Sequence, residues 1–458
     1  MNKTIMAKEN TVKSKLTPNL HPKLLVTKYM GSKKAILDFV ASELIKLTKP
    51  GDIIVDLMAG THTIGYAMKN RCQMVANDIQ RYSRVIGETL LNYNPEPRFE
   101  GVLLDTFRRF YITNARHLAD IFSHGLRREQ EMLSKDADTK YNWMEYREFC
   151  ESYPYYLRET PALGWPEEFS LLFGHRRVEA YKTLNKLEPY SLFSLYFANS
   201  YIGVQQAAEI DSIRCAIDKL CDLWLPQRDE LKHIDSYRLR CLLISALIGV
   251  INKINPGPGH WAAYQHVSDH NLKYMKGQRR QSVWDIFIDR VREFENNLLK
   301  NPSDKGPHIV MTEDYVNFME EVHEYIRQAR VVYLDPPYSQ GHYSRFYHLI
   351  ETLVLYDYPE IAFAGRYRVN RHQSPFAHKE KVASAIGKVC EIAREGNAWL
   401  VSSYSRGGVI ADDKAFRKIL EEYYPAKNIT VKKLLSVHSK LGQANRMQTE
   451  EYLFKCKP

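Results

Sequence analysis

The chain has 458 residues, 44% hydrophobic and 26% charged, enough apolar material for a large core and room for about two or three domains. That composition excludes a disordered, collagenous or disulfide-stapled miniature protein. Lysine and arginine number 64 against 54 acidic residues, a net charge of +10 that favours a polyanionic partner without naming one.

The seven cysteines form no CxxC pair, no zinc-binding spacing and no closely spaced even framework. A reducing cytoplasmic setting and no metal are therefore expected. Residues 1–23 are polar and lysine-dotted and read as a flexible N-terminus. The longest apolar run, about residues 241–251, is too short to span a bilayer, so no membrane partner is expected.

In chain order, a basic turn, Thr27-Lys28-Tyr29-Met30-Gly31-Ser32-Lys33-Lys34, precedes a helical pattern over residues 35–47. The run Asp52-Ile53-Ile54-Val55-Asp56-Leu57 predicts a strand. It ends in Ala59-Gly60, a helical pattern follows to about residue 70, and a second strand over residues 73–76 ends in Asn77-Asp78. Residues 94–305 are rich in aromatics and helical pattern, notably at 191–206, 210–224 and 236–253, and read as an inserted, mainly helical domain. From residue 307 short apolar runs return at 308–311, 330–334 and 398–402, separated by helical patterns at 315–328 and 379–395. This β/α alternation implies a parallel sheet. The runs at 429–437 and 450–455 leave no room for a crossover helix and predict a terminal hairpin. The expectation is an α/β fold of seven strands split by one long helical interruption, with no internal repeat.

The strand over residues 330–334 runs straight into Asp335-Pro336-Pro337-Tyr338. An α/β sheet places its working groups at the carboxyl ends of its strands. Such a tetrapeptide arises by chance in roughly one chain in a few hundred of this length, so it carries information before any context is added. Two prolines fix the backbone and remove two N–H donors, leaving a rigid turn whose carboxylate and carbonyl only accept hydrogen bonds. Those acceptors suit an exocyclic amine on a nucleobase. Asp335 and the Pro336 carbonyl could take its two hydrogens and draw out its lone pair, while Tyr338 offers a stacking face.

The loop Asp56-Leu57-Met58-Ala59-Gly60-Thr61-His62-Thr63-Ile64-Gly65 joins a strand to a helix through small residues, which lets a ligand approach the backbone closely. It is neither a dinucleotide fingerprint nor a phosphate loop. Asp78, at the end of the next strand, is where an acidic side chain commonly accepts from ribose hydroxyls. A nucleoside-containing cofactor suits both features.

Taken in order, Lys28-Tyr29-Met30-Gly31-Ser32-Lys33, Asp56-Leu57-Met58-Ala59-Gly60, Asn77-Asp78 and Asp335-Pro336-Pro337-Tyr338 resemble the Dam-like class of DNA adenine-N6 methyltransferases. The resemblance covers about half the chain. It implies a seven-stranded Rossmann-like methyltransferase sheet, with residues 24–93 and 306–458 as the S-adenosylmethionine-dependent catalytic domain and 94–305 as an inserted target-recognition domain. It assigns cofactor binding to Tyr29, Lys33, Asp56, Ala59, Gly60, Asp78 and Asp335, and catalysis to Asp335, Pro336, Pro337 and Tyr338. Asp314, in Met311-Thr312-Glu313-Asp314, joins the cofactor set by the same resemblance, and a helix N-cap explains it nearly as well. The stretch Tyr343-Ser344-Arg345-Phe346-Tyr347-His348 resembles the segment that approaches DNA in relatives, which puts Tyr343 and Arg345 among the DNA contacts; its aromatics could equally be core. Arg366, Arg368 and Arg371 join them as a basic run soon after the turn, although such runs, like Arg127-Arg128 and the one over residues 276–280, are most often solvated faces. Trp261, in a Pro/Gly loop, and residues 196–208 read as packing.

Two positions depart from the family pattern: Met58 stands where phenylalanine is usual, and His62 where a small residue is usual. The implied function is site-specific transfer of a methyl group from S-adenosylmethionine to N6 of a flipped-out adenine in double-stranded DNA, alone or beside a cognate restriction endonuclease. Cytosine N4 and RNA adenine present similar amines to the same turn. A non-catalytic DNA-binding module with a degenerate cofactor site is the alternative of another kind.

Overall fold

A computed structural model describes residue 26 and residues 36–134, 142–156, 164–173, 189–257, 259–303, 306–337, 341–405, 408–439 and 446–458. Its centre is one seven-stranded sheet. Strands β1 (Ile53–Asp56), β2 (Gln73–Asn77), β3 (Ile309–Met311) and β4 (Ala329–Leu334) are parallel to one another. A two-stranded hairpin of β5 (Ile361–Ala362) and β6 (Tyr367–Arg368) stands apart. Strand β7 (Trp399–Ser405) returns to the sheet parallel to β4, and β8 (Ile429–Ser439) and β9 (Arg446–Cys456) close its edge, with β9 antiparallel to both β7 and β8. The order across the sheet is β3-β2-β1-β4-β7-β9-β8. All seven predicted strands are present, including the terminal hairpin.

The strands read as continuous apolar runs because both faces of the sheet are covered. Alternate residues serve opposite layers. Ile54, Met74, Val331, Tyr333, Val401 and Leu453 pack with the helices Leu37–Leu47 and Thr63–Met68, whereas Val55, Val75, Val332, Leu334, Leu400 and Phe454 pack with Tyr315–Glu321, His323–Gln328, Val382–Glu395 and Asp413–Glu421. The predicted helix over 315–328 is in fact two, meeting at Val322.

The helical segment between β2 and β3 is long in sequence but closes on itself. Asn92 and His308 exchange two hydrogen bonds, Nδ2 to the His308 carbonyl at 3.0 Å and His308 N–H to Oδ1 at 2.9 Å, so its two ends meet. The predicted helix over 191–206 breaks. Only Leu192–Tyr196 is helical there, the chain then turns through Asn199 in the left-handed region (φ 58°), and Val204–Asp218 begins afresh after Gly203. Apolar periodicity continues across that turn, which is why the pattern alone shows one helix.

This segment shares its core with the sheet's flank. Helix Ser236–Ile254 packs on both Arg81–Gly87 and His348–Leu355, and one apolar cluster runs through Ile244, Leu247, Ile86, Leu349 and Leu353. Polar ties follow the same seam: the Tyr356 hydroxyl donates to Asp211 at 2.6 Å, and Arg214 Nε to the Leu353 carbonyl at 3.1 Å. No described helix is long and apolar enough to cross a membrane.

A chain in which a short linker joins residues 93 and 306 can close, because Asn92 and His308 already meet. It leaves Ile86, Leu349 and Leu353 uncovered. We expect that chain to bind the dye ANS and to lose its cooperative thermal transition. A sharp melt by circular dichroism without dye binding would show instead that the sheet is cored independently.

Candidate active site

The strand order reverses between β1 and β4, the point at which an α/β sheet opens a crevice beyond its carboxyl ends. The pairing of Asp56 with Tyr333, and a hydrogen bond from Leu57 N–H to the Tyr333 carbonyl at 3.1 Å, carry the two strands to that point side by side. Beyond them lies a cleft open to solvent, with Asp56, Gly60, Asp78, Asp314 and Asp335 among its walls.

The loop after β1 is held by backbone and by two side chains. Ala59 N–H donates to the Asn77 carbonyl at 2.8 Å, and Gly60, with φ 53°, turns its N–H onto Asp78 Oδ2 at 3.0 Å. Asp78 Oδ1 accepts from Gln80 N–H at 2.9 Å. The Ser83 hydroxyl donates to the Gly60 carbonyl at 2.6 Å, and His62 Nε2 lies 3.1 Å from that hydroxyl oxygen. Since the serine proton is committed to Gly60, His62 must donate from Nε2. Burial holds this imidazole neutral by pushing its pKa down to about 4. His62 itself adopts φ 54° and is buried, so the residue that departs from the family pattern serves as the loop's inner prop.

The cleft is acidic. Burial pushes Asp56 up to about 8, with the charges of Asp335 and Asp78 adding to the shift and the Met58 N–H opposing it. Its Oδ1 is buried without a hydrogen-bond partner. Burial also raises Asp78 to about 6, against the pull of the Gln80 and Gly60 N–H groups. No lysine or arginine is among the described residues that line the cleft. Such a wall repels phosphate and attracts a cation or a hydroxyl donor.

Asp335 follows β4, and its Oδ1 accepts from Ser403 Oγ at 2.8 Å. Pro336 and Pro337 line the cleft beside it. Tyr29, Lys33 and Tyr338 lie outside the described residues. Asp314 caps the helix Tyr315–Glu321 through Oδ1 to Val316 N–H at 3.0 Å and also lines the cleft.

The five candidate DNA contacts do not share one setting. Tyr343 is half-buried and lines the cleft, and burial holds its phenol protonated. Arg345 is exposed, and Arg371 Nη1 reaches Ser344 Oγ at 3.4 Å at the cleft's rim. Arg368 is paired at both nitrogens with Asp357, at 2.6 and 2.5 Å. Arg366 is 7% exposed and donates to the Tyr196 carbonyl at 2.7 Å, which ties it to the helical segment. Sequence reasoning missed Glu313, His342, His372 and Ser374 in the cleft wall. For Glu313 the signal existed beside the predicted Asp314; the other three come from loops that only the fold brings back.

Residues 266–434, which include Asp335, match the family model of the D12 class N6 adenine-specific DNA methyltransferases. The chain is also similar to modification methylase LlaI of Lactococcus lactis subsp. lactis, 20% identical over 84% of this chain and 47% of that protein. Type II methyltransferase M.FokI of Planomicrobium okeanokoites is 22% identical over 93% of this chain and 52% of its own length, and modification methylase StsI of Streptococcus sanguinis 20% identical over 89% and 48%. The chain thus spans about half the length of the relatives it matches. The D12 match begins within the helical segment and leaves β1 and β2 outside, whereas the relatives align across most of the chain.

Asp56 keeps its proton in the folded protein up to about pH 8, while an unfolded aspartate loses it near 4. The native state therefore binds more protons between those values, and stability falls as pH rises through that window. We expect Asp56→Asn to flatten the decline in melting temperature between pH 6 and 8. Parallel profiles for variant and wild type would place the shift elsewhere.

Proposed function

We propose that the chain methylates N6 of adenine at specific sites in DNA, with S-adenosylmethionine as donor. The observation that carries this reading is the rigid acceptor turn at the end of β4, which opens onto an acidic cleft at the reversal of the strand order and lies inside the D12 match.

The cleft suits that donor. Asp78 and Asp335 offer negative charge to a sulfonium, Asp56 keeps an unpartnered buried oxygen as a further acceptor, and Gly60 lets the ligand approach the backbone. Tyr29 and Lys33 complete the proposed cofactor set on the strength of the family resemblance. When bound, S-adenosylmethionine supplies an electrophilic methyl carbon.

The chain's own residues do the rest. The target adenine swings out of the duplex, and Tyr338 stacks on it. Asp335 and the Pro336 carbonyl accept its two N6 hydrogens, which localises the nitrogen lone pair for in-line attack; Pro337 stiffens the turn. As the new N–C bond forms, Asp335 is the acceptor nearest the proton that N6 must release. Tyr343, in the wall of the same cleft, is proposed to exclude water from the reacting atoms.

The helical segment is proposed as the target-recognition region, supported by its position between β2 and β3 and by the net charge of +10. Relatives named modification methylases support a restriction-modification setting with a cognate endonuclease as partner.

With unmethylated genomic DNA and labelled donor, we expect N6-methyladenine by nucleoside mass spectrometry. Asp335→Ala should lose on the order of 10²- to 10⁴-fold of the rate at an unchanged melting temperature. A wild-type rate in that variant sinks the assignment. Arg345, exposed beside the cleft, is proposed to contact phosphate. Arg345→Ala should weaken DNA binding across all sequences and reduce the slope of log affinity against log salt by about one. An unaltered slope removes Arg345 from the interface.

A further inference from the structure

Asp335 is not held by its own turn alone. The pairing of β4 with β7 ends at Leu334 opposite Ser402, so the next residues, Asp335 and Ser403, fall opposite each other at the carboxyl edge. Ser403 Oγ donates to Asp335 Oδ1 at 2.8 Å, and Tyr333 Oη lies 3.0 Å from the same Oγ. Tyr333 and Asp335 are two residues apart along one strand and so project to the same side.

A serine hydroxyl has one proton to give. Ser403 gives it to Asp335, so the Tyr333 hydroxyl must donate to Ser403, and the chain runs one way, from phenol to hydroxyl to carboxylate. Both donors are 1% exposed, so bulk water cannot stand in for either. Burial, with the charge of Asp335 beside it, keeps the phenol protonated and therefore a donor. Successive bonds of this kind polarise one another.

We infer that Ser403 and Tyr333 are positioning residues for Asp335, a buried relay that fixes the plane of its carboxylate toward the amine to be methylated. The inference rests on the function proposed above. A carboxylate on a short side chain can rotate about two bonds, and attack on the methyl carbon tolerates little misplacement of the acceptor that holds N6. Tying Oδ1 to β7, a strand with both edges paired, transfers the rigidity of the sheet to the reacting group.

The test compares wild type, Ser403→Ala, Ser403→Thr and Tyr333→Phe in steady-state methylation of unmethylated genomic DNA, with melting temperature and S-adenosylmethionine affinity measured on each. Ser403→Ala should lower kcat by about ten- to a hundredfold with KM for S-adenosylmethionine within about twofold, because misplacement acts on the chemical step. Ser403→Thr, which keeps the hydroxyl, should recover most of the rate, and Tyr333→Phe should fall between. Ser403→Ala at wild-type kcat overturns the relay, as does a loss confined to KM or matched by Ser403→Thr, either of which marks packing alone. Should Ser403→Ala not fold, Tyr333→Phe decides: it keeps the ring and removes only the donor, and an unchanged kcat overturns the relay. A wild type that methylates no adenine overturns the proposed function and takes the relay with it, whereas an active wild type beside an undiminished Tyr333→Phe and Ser403→Ala overturns the relay alone.

Discussion

The parallel pairing of β1 with β4 is the constraint on which the site depends. Chain that leaves β1 turns toward β2, chain that leaves β4 turns toward β7, and the gap between them is the cleft. The pairing also forces Asp56 and Asp335 together at one edge, where the charge of Asp335 disfavours ionisation of Asp56. Burial compounds the cost at Asp56, whose proton is retained to about pH 8. A cation brought to that edge would favour the ionised form of Asp56.

The surrounding hydrogen bonds sort these carboxylates into different roles. Asp78 has an N–H from Gly60 on one oxygen and an N–H from Gln80 on the other, so it shapes the loop while facing the cleft. Asp335 is tied to Ser403 on the neighbouring strand. Asp56 has an oxygen with no partner at all. Three aspartates within one cleft therefore differ in how much of their hydrogen-bonding capacity the protein has already used.

The sheet was legible in the sequence because a parallel sheet covered on both faces needs unbroken apolar runs, and those at 52–57, 330–334 and 398–402 have no other use. Motifs at strand ends were legible for the same reason: once the strand is placed, Asp56, Asp78 and Asp335 must sit at one edge. Side-chain direction was not legible. Arg366 belongs to a basic run that reads as solvent-facing, yet a left-handed backbone at φ 50° and the Tyr196 carbonyl turn it inward. Lys276 and Arg279 are buried likewise, the latter donating to Asn199 Oδ1 at 2.5 Å and to Tyr146 Oη at 3.2 Å. Charge along a sequence reports composition, whereas burial depends on which carbonyls the fold leaves unpaired. Trp261, which the sequence assigned to packing, is fully buried, and its carbonyl accepts from the Tyr201 hydroxyl at 2.6 Å.

The continuous core changes what the helical segment can contribute. A recognition region on a separate lobe could move against the sheet without disturbing it. Here helix Ser236–Ile254 packs directly on Arg81–Gly87, the helix that follows Asp78, and on His348–Leu355, the helix that follows Tyr343. Glu351 on the latter reaches across to accept from Arg81 and Tyr82 N–H at 3.0 and 3.1 Å, and so locks the two helices to each other. Force applied to the helical segment is thereby delivered to both walls of the cleft at once. Close-packed interiors transmit strain instead of absorbing it, so the helical segment is mechanically part of the cleft that holds Asp78 and Tyr343.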